Sequence, residues 1–510
     1  MMETDTQRLA DALALLWPSH ATPELLDDWC PALSTCVVTL DSREAGPGVL
    51  FVAVAGGHVD GRAFIEQALA SGADAVLYDT DAMPEDIPVQ DARVLGVPGL
   101  RGRLGELGRY LFGVPKTLEL IGVTGTNGKS SVTHYMAALS ESLGTATAVI
   151  GTLGIGRPGQ LEPAALTTPG PLALQESLGN LSAQGIERVA MEVSSHALEQ
   201  GRVVGCRFHA AVFTNISRDH LDYHGSMAAY AAAKARLFKH RELSLAVVNG
   251  DDRLAPLMLA GLPKSVRVLA TGCDEATTLR VIDWFPHALG QRALIATPEG
   301  ERELELSLLG RFNLDNVLLA MATLYGLGSD LAALFDAAAQ LAPVPGRMQR
   351  LAADGAPTVV VDYAHTPEAL RNALDALRAH VPAQEGAKLW CVFGCGGDRD
   401  RGKRPLMAQA AEALADCLVI TDDNPRGEPA ASIRGEIVAG LSNTGQARTQ
   451  CVAGRGEAIE CVLQEAGADD IVLIAGKGHE TYQDIDGRRY PFSDVEVVQA
   501  ALERRREHEA

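Results

Sequence analysis

The segment that most restricts the fold runs from Leu118 to Leu143, LELIGVTGTNGKSSVTHYMAALSESL. Leu118 to Val123 is a short apolar run, as a parallel strand buried on both faces would be. Thr124 to Lys129 is polar and Gly-rich and reads as a loop. From Ser130 the period changes: Val132, Tyr135, Met136 and Leu139 fall at i, i+3, i+4 and i+7, one face of a helix that Gly144 can end. A strand, a glycine loop and a helix opening on Gly128-Lys129-Ser130 form a phosphate cradle. Backbone N–H groups and the helix N-terminus face the anion, Lys129 neutralises phosphoryl charge, and the Ser130 hydroxyl is placed to ligate Mg²⁺. The spacing departs from the usual form: Val123 stands where a glycine is expected, and Gly122 and Gly125 flank it.

At 510 residues the chain exceeds one core, and about 150 residues per domain predicts three domains. We set them at residues 1–98, 99–346 and 347–510. The net charge of −21 argues against nucleic acid or an anionic membrane as the main partner, so an anionic substrate must be met by local Arg and Lys. Nine scattered cysteines without a CxxC pair read as reduced thiols, not a disulfide frame or a zinc site. The first residues, MMETDTQRLADALALLWP, lack a signal pattern, and no apolar run spans a bilayer. A cytoplasmic protein, with no membrane insertion, is expected.

In the first domain, strands are expected at Cys36–Leu40, Val49–Ala53 and Ala75–Tyr78. The polar loops Asp41-Ser42-Arg43 and Gly56 to Arg62 follow the first two and are placed to hold a ligand or to be ordinary turns. In the middle domain Gly154 to Gly159 matches GxGxxG, but Pro158 sits where a helix should open, so it is not read as a dinucleotide fingerprint. Arg188–Val193 is a strand carrying Glu192 at its carboxyl end, where an acid ligates Mg²⁺ beside a phosphate loop or caps the next helix. The strand Ala210–Asn215 runs into Ser217-Arg218-Asp219-His220-Leu221-Asp222-Tyr223-His224-Gly225, too polar for a core loop. His220 is a candidate metal ligand oriented by Asp219 or Asp222. Residues 264–307 read as a β-rich excursion, and Leu309 to Asn316 open a helix that continues through Val317–Tyr325. Asn313 and Asn316 there are caps or nucleobase contacts.

Pro343-Val344-Pro345-Gly346-Arg347 is a hinge. Beyond it, strands expected at Thr358–Val361, Lys388–Phe393, Cys417–Ile420 and Asp470–Ala475 end in Asp362-Tyr363-Ala364-His365, Gly394 to Arg404, Thr421 to Arg426 and Gly476 to Glu480. Ligands bind at the carboxyl edge of an open α/β sheet, so these four loops predict a binding face.

Taken together, GTNGKSS (125–131), TTP (167–169), MEVSSHAL (191–198), SRDHLDYHG (217–225) with Lys234, GRFNLDN (310–316), PGRM (345–348), DYAHTP (362–367), GCGGDRDRGKRP (394–405), DNPR (423–426) and GKGHE (476–480) resemble the Mur ligase family across all three domains. The phosphate loop carries Ser130-Ser131 where that family often has threonines, which preserves the hydroxyl chemistry. The resemblance implies an α/β chain with a small N-terminal UDP-binding domain, a central P-loop ATPase domain on a parallel sheet and a C-terminal Rossmann-like domain. It implies an ATP-dependent amide-forming ligase that activates a carboxylate as an acyl phosphate. By the same resemblance, Gly125, Thr126, Asn127, Gly128, Lys129, Ser130, Ser131, Asn313, Arg347 and Asp362 serve ATP. Lys129, Glu192, His220 and Lys234 serve catalysis; Ser130, Glu192, His220 and Lys234, the last as a carbamate, hold Mg²⁺. Leu40, Ser42, Gly57, His58 and Val59 meet the uridine side, and Asn127, Thr167, Thr168, Ser194, Gln200 and Arg202 the muramoyl dipeptide, of UDP-N-acetylmuramoyl-L-alanyl-D-glutamate. Arg399, Asp423, Asn424, Pro425, Arg426, Gly476 and Glu480 meet the incoming amino acid.

Asp423 to Arg426 points to meso-2,6-diaminopimelate as that amino acid, because its second carboxylate suits a bidentate guanidinium at Arg426. A lysine-adding ligase of this family and a folate polyglutamate ligase remain alternatives, and a regulatory P-loop NTPase is a third of another class. The chain is expected to act as a monomer.

Overall fold

The structure is a computed structural model that describes residues 2–29, 35–57, 59–82, 91–382 and 386–509, with side chains 2, 27, 28 and 507–509 left aside. The chain divides into two compact units: Met1–Lys129 with Gly144–Ala246 and Leu254–Val268, and Ser130–Leu143 with Val247–Arg253 and Leu269–Ala510.

The first unit holds two sheets. One has the spatial order Met2–Asp5, Thr35–Thr39, Val49–Ala53, Ala75–Asp79 and Val94–Val97; the last four run parallel and the first antiparallel. Leu9, Leu13, Leu50, Leu77, Leu100 and Leu107 form its core, each worth about 1.5–3 kcal/mol buried. The short strand Met2–Asp5 and the four-residue Val94–Val97 escape a sequence reading, being too short to show a period. The other sheet centres on Thr147–Gly151, Arg188–Glu192, Glu119–Thr124 and Phe208–Phe213, all parallel in that order. The rejected glycine fingerprint, Gly154 to Gly159, forms the first strand and turn of an antiparallel hairpin, Gly154–Arg157 with Gln160–Glu162, turning at Pro158-Gly159.

The second unit contains the helix Lys129–Ser142 from Ser130 onward, with Val132, Tyr135, Met136 and Leu139 buried as their spacing requires. The β-rich excursion is an antiparallel meander of Leu279–His287, Gly290–Thr297 and Gly300–Leu306. The helix expected after Gly310 runs Arg311–Gly326, so Asn313 and Asn316 lie inside it and Gly310, at φ 87°, occupies the cap position. The last sheet has the order Gln349–Leu351, Thr358–Asp362, Ile471–Ala475, Leu389–Phe393, Cys417–Ile420 and Thr449–Cys451, parallel except for its first strand. Helices cover both faces; Pro367–Arg378 buries Leu370, Ala373, Leu374 and Leu377 against one of them. This parallel order sets the loops after residues 362, 393, 420 and 475 along one edge.

Candidate functional site

In the first unit, the glycine loop leaves the strand Glu119–Thr124 and is tied to the end of the neighbouring strand Phe208–Phe213. Thr126 N donates to Asn215 O at 2.8 Å, Asn127 N to Asn215 Oδ1 at 3.0 Å, and Thr214 Oγ1 to Asn127 O at 2.5 Å. Gly125 stands at φ 155°, and a Cβ there would lie 1.9 Å from Thr214 Oγ1, so only glycine permits this approach.

Two lysines converge on the loop. Lys129 Nζ donates to Gly125 O and Thr126 O, each at 2.8 Å. Lys234 Nζ, on the helix Met227–Ala235, donates to the same Gly125 O at 2.7 Å. Lys234 is 1% exposed and lies 4.4 Å from the Tyr230 ring centroid. Burial, and then the positive charge of Lys129, pull it well below the usual lysine range, against a smaller opposing pull from Asp219. A lysine so depressed is a candidate neutral amine, the form that takes up carbon dioxide. Tyr230 joins the two: its hydroxyl lies 3.1 Å from Thr126 Oγ1, and burial pushes its pKa up to about 12.

Glu192 ends its strand 1% exposed. Its Oε1 accepts from Thr152 N at 2.8 Å and its backbone carbonyl from Thr168 Oγ1 at 2.7 Å. Gly151 makes this possible, since a Cβ there would lie 2.2 Å from Glu192 Oε1. The next helix is capped by Ser194, which accepts from Ala197 N, and not by Glu192. From Glu192 a polar network reaches most of the expected dipeptide contacts. Thr152 Oγ1 lies 3.1 Å from Thr167 Oγ1, and Ser194 N donates to Thr168 Oγ1 at 3.2 Å. Arg202 donates to Thr168 O at 3.0 Å and to Gln200 Oε1, and Gln200 Nε2 donates to Tyr223 OH at 3.1 Å.

Tyr223 belongs to an aromatic cluster with three histidines. The His196 ring centroid lies 4.8 Å from that of His220, 4.2 Å from Tyr223 and 5.5 Å from His224. Burial, then His220 and His224, hold His196 below the ordinary histidine range. His220 itself is exposed, at φ 52°, with Nε2 3.4 Å from Asp219 Oδ2, one of the two acids expected to orient it. Among the described residues no group of three or more His, Cys, Asp and Glu forms a metal cage.

Of the expected uridine contacts, Leu40 and Val59 are exposed apolar residues, at 39% and 60%, beyond the carboxyl ends of the parallel strands Thr35–Thr39 and Val49–Ala53. Ser42 lies in a short turn capped by Asp41, and Gly57 in the turn closed by Gly56 N donating to Val59 O at 2.9 Å. His58 lies outside the described residues.

In the second unit, Ser130 and Ser131 are buried in the first turn of the phosphate-loop helix. Asn313, 2% exposed, engages both ends of its amide: Oδ1 accepts from Tyr135 OH at 3.1 Å and Nδ2 donates to Leu309 O at 2.8 Å. The Arg347 guanidinium lies 4.7 Å from the Tyr363 ring centroid. Asp362 accepts from Met348 N at 2.7 Å and Ala364 N at 2.8 Å, and burial raises its pKa against those bonds.

At the carboxyl edge of the last sheet, a charged network joins two of the expected loops. Lys477 is fully buried; its Nζ donates to Glu480 Oε2 at 2.9 Å and Asn424 Oδ1 at 3.1 Å and lies 3.8 Å from Asp423 Oδ1. Asn424 Nδ2 donates to Glu480 Oε2 at 3.0 Å. Gly476, at φ 119°, opens the second loop. Arg426 donates to Gly397 O at 2.8 Å, and Pro425 is buried. Arg399 is exposed. Lys477 stands within a quoted motif yet was given no role, because a lysine in a glycine loop shows no partner until the sheet sets Asp423, Asn424 and Glu480 around it.

Three family models match the chain: the Mur ligase family catalytic domain at residues 36–110, the Mur ligase middle domain at 123–324, and the Mur ligase glutamate ligase domain at 346–478. A UDP-N-acetylmuramoyl-L-alanyl-D-glutamate--2,6-diaminopimelate ligase from Pseudomonas aeruginosa is 49% identical over 466 residues, 91% of this chain and 94% of that protein. Its namesake from Pseudomonas putida is 48% identical over 475 residues, with the same shares. A solved structure of a ligase with that name superposes with a TM-score of 0.70 at 41% identity, covering 92% of this chain and 95% of the other. A MurF ligase from Thermotoga maritima in complex with ADP, 19% identical and covering 93% and 99%, shares the fold with a TM-score of 0.61. With its strand, glycine loop and helix, its strand-end loops and this extent of identity, the chain belongs to the Mur ligase family.

Proposed function

We propose that the protein is the ATP-dependent ligase that adds meso-2,6-diaminopimelate to UDP-N-acetylmuramoyl-L-alanyl-D-glutamate in peptidoglycan precursor synthesis. The observation that carries this is the identity, near one half and running the length of the chain, to ligases named for that reaction. An unactivated carboxylate is a poor electrophile. A carboxylate of the dipeptide's glutamate therefore attacks the γ-phosphorus of ATP, ADP departs, and an acyl phosphate forms. The amine of diaminopimelate attacks the acyl carbon, and the tetrahedral intermediate collapses with loss of phosphate and a proton. The chain's share is positioning and neutralisation of charge.

Lys129 and the amides of Gly125 to Ser131 hold the phosphates; releasing Gly125 O and Thr126 O frees the Lys129 ammonium for them. Arg347 and Asp362 serve phosphate and ribose, and Asn313, whose amide keeps a second hydrogen and a second lone pair beside its bonds to Leu309 and Tyr135, meets adenine. Thr167, Thr168, Ser194, Gln200 and Arg202, already one network around Glu192, hold the dipeptide with Asn127. Leu40, Ser42, Gly57, His58 and Val59 hold the uridine side. Arg426 and Arg399 take the carboxylates of diaminopimelate, and Asp423, Asn424, Pro425, Gly476 and Glu480 its amino-acid head.

The donors suit Mg²⁺. Glu192 is a buried carboxylate at the end of the strand paired with that of the glycine loop, and this ion prefers one or two protein carboxylates with phosphate oxygens and water. Ser130, Glu192, His220 and carbamylated Lys234 would hold it, where it neutralises phosphoryl charge. Lysine as ammonium cannot ligate a cation; its depressed pKa here favours the neutral amine that a carbamate requires.

A cytoplasmic monomer is part of this proposal; separately, no helix of the described residues is long and apolar enough to cross a membrane. The domains proposed are 1–98, 99–346 and 347–510; the third matched segment begins at residue 346, and the first runs on to residue 110. Phosphate release tests the reading: it should require the UDP dipeptide and diaminopimelate together. Release with folate and glutamate points to the folate ligase, release with lysine to the lysine-adding member, and release with ATP alone to the regulatory NTPase.

A further inference from the structure

After the Gly476–Glu480 loop the chain forms a two-stranded hairpin, Tyr482–Ile485 with Arg488–Pro491. Its turn, Asp486-Gly487, has φ of 51° and 72°, the left-handed pair that a two-residue hairpin turn demands. The second strand is exposed throughout and the first is half-buried up to Ile485, and a lone hairpin is marginal in water, so its anchorage matters. That anchorage is the Asp423–Arg426 loop. Gln483 Nε2 donates to Asp423 O at 2.8 Å, and Asp484 N donates to Asn424 Oδ1 at 3.0 Å. Arg426 N donates to Asp484 O at 2.9 Å, and Asp486 N donates to Arg426 O at 2.8 Å. Arg426 and Ile485 thereby form a single parallel bridge.

The bridged residue is strained. Arg426 stands at φ 50°, a left-handed conformation disfavoured for a side chain with a Cβ. Both of its backbone hydrogen-bonding groups are held by the hairpin, which over-determines that conformation and so the origin of the guanidinium. In the same loop Asn424 has its carbonyl oxygen shared between Asp484 N and Lys477 Nζ. We propose that the hairpin Tyr482–Pro491 is a positioning element that sets selectivity for the amine substrate, with Gln483 and Asp484 as its working residues. This rests on the reading that Arg426 takes the distal carboxylate of diaminopimelate.

The test is steady-state kinetics of the full chain with diaminopimelate, lysine and ATP varied in turn. Gln483→Ala removes one neutral hydrogen bond and should raise KM for diaminopimelate about five-fold. Gln483→Glu sets a carboxylate against Asp423 O and should raise it roughly tenfold or more. Replacing residues 483–490 by a Gly-Ser link should bring kcat/KM for diaminopimelate down toward that for lysine. In all three, kcat and KM for ATP should stay within about two-fold of the parent. Should the linked chain fail to fold, the two point variants decide. Unchanged discrimination in the Gln483 variants, or an equal decline in every parameter, overturns the proposal. Arg426→Ala is measured beside them. If it leaves KM for diaminopimelate unmoved, the substrate reading itself falls. If it raises that KM about 30-fold or more while the hairpin variants keep their selectivity, only the hairpin inference falls.

Discussion

Two buried lysines, one beside the glycine loop and one in the last sheet's strand-end loops, are handled in opposite ways. Lys234 is 1% exposed, and its ammonium meets the carbonyl of Gly125 and the face of Tyr230, with no carboxylate in ion-pair reach among the described residues. Lys477 is 0% exposed and has Glu480 at 2.9 Å, Asn424 at 3.1 Å and Asp423 at 3.8 Å. Burial penalises a charge unless partners replace the lost water. Lys477 has such partners and braces the acids around it. Lys234 has few, so its environment favours the neutral amine, a form with chemistry to do. The same residue type thus becomes a brace in one place and a candidate for covalent modification in the other.

The largest effect expected from this contrast is on catalysis. Lys234→Ala should lower ligation on the order of 10³-fold or more, as loss of a phosphoryl-stabilising group does, and short carboxylic acids should partly restore it. Near-parent activity of the variant would remove the carbamate from the account.

Next is stability. Lys477→Met strands Glu480, Asp423 and Asn424 around a missing cation and should destabilise by about 3–5 kcal/mol. Lys234→Met removes a buried amine with few partners and should be near neutral or stabilising. Denaturant unfolding of both variants checks this, and equal losses would erase the distinction.

The contrast also has a pH signature. Because the folded pKa of Lys234 lies below the unfolded value of about 10.4, the unfolded chain binds more protons between the two. Stability should therefore rise with pH across that window and lose this contribution as pH falls through the folded value. Lys234→Met should flatten that part of the parent's stability–pH curve, as read by unfolding at several pH values.

The smallest effect concerns the tie between Lys234's neighbour and the loop. Tyr230→Phe keeps the ring and removes the hydroxyl 3.1 Å from Thr126 Oγ1. A loss of about 1 kcal/mol, or roughly five-fold in kcat/KM for ATP, is expected. No change in that constant would mean the tie is incidental to the loop.

Much of this was legible along the chain, because periodic segments report their own environment. Val132, Tyr135, Met136 and Leu139 announce a buried helical face, and Pro158 in Gly154–Gly159 announces a turn instead of a dinucleotide helix. Other features carry no local signal. The strands Gln349–Leu351 and Thr449–Cys451 are three residues long and exist through edge pairing alone. Asn313 read as a cap or a nucleobase contact, but the helix starts two residues earlier and buries both ends of its amide.

By itself the sequence determined the parts that depend on neighbours along the chain: the strand, glycine loop and helix at 119–142, the alternation of later strands with helices, and the chemical kinds of residue at strand ends. Periodicity and turn chemistry are local, so they are written locally. The tertiary structure decided which lysine has counter-ions, which glycines must lack a Cβ, and that the hairpin after residue 480 holds Arg426. Those outcomes depend on groups tens to hundreds of residues apart, brought together only when parallel strands take their order.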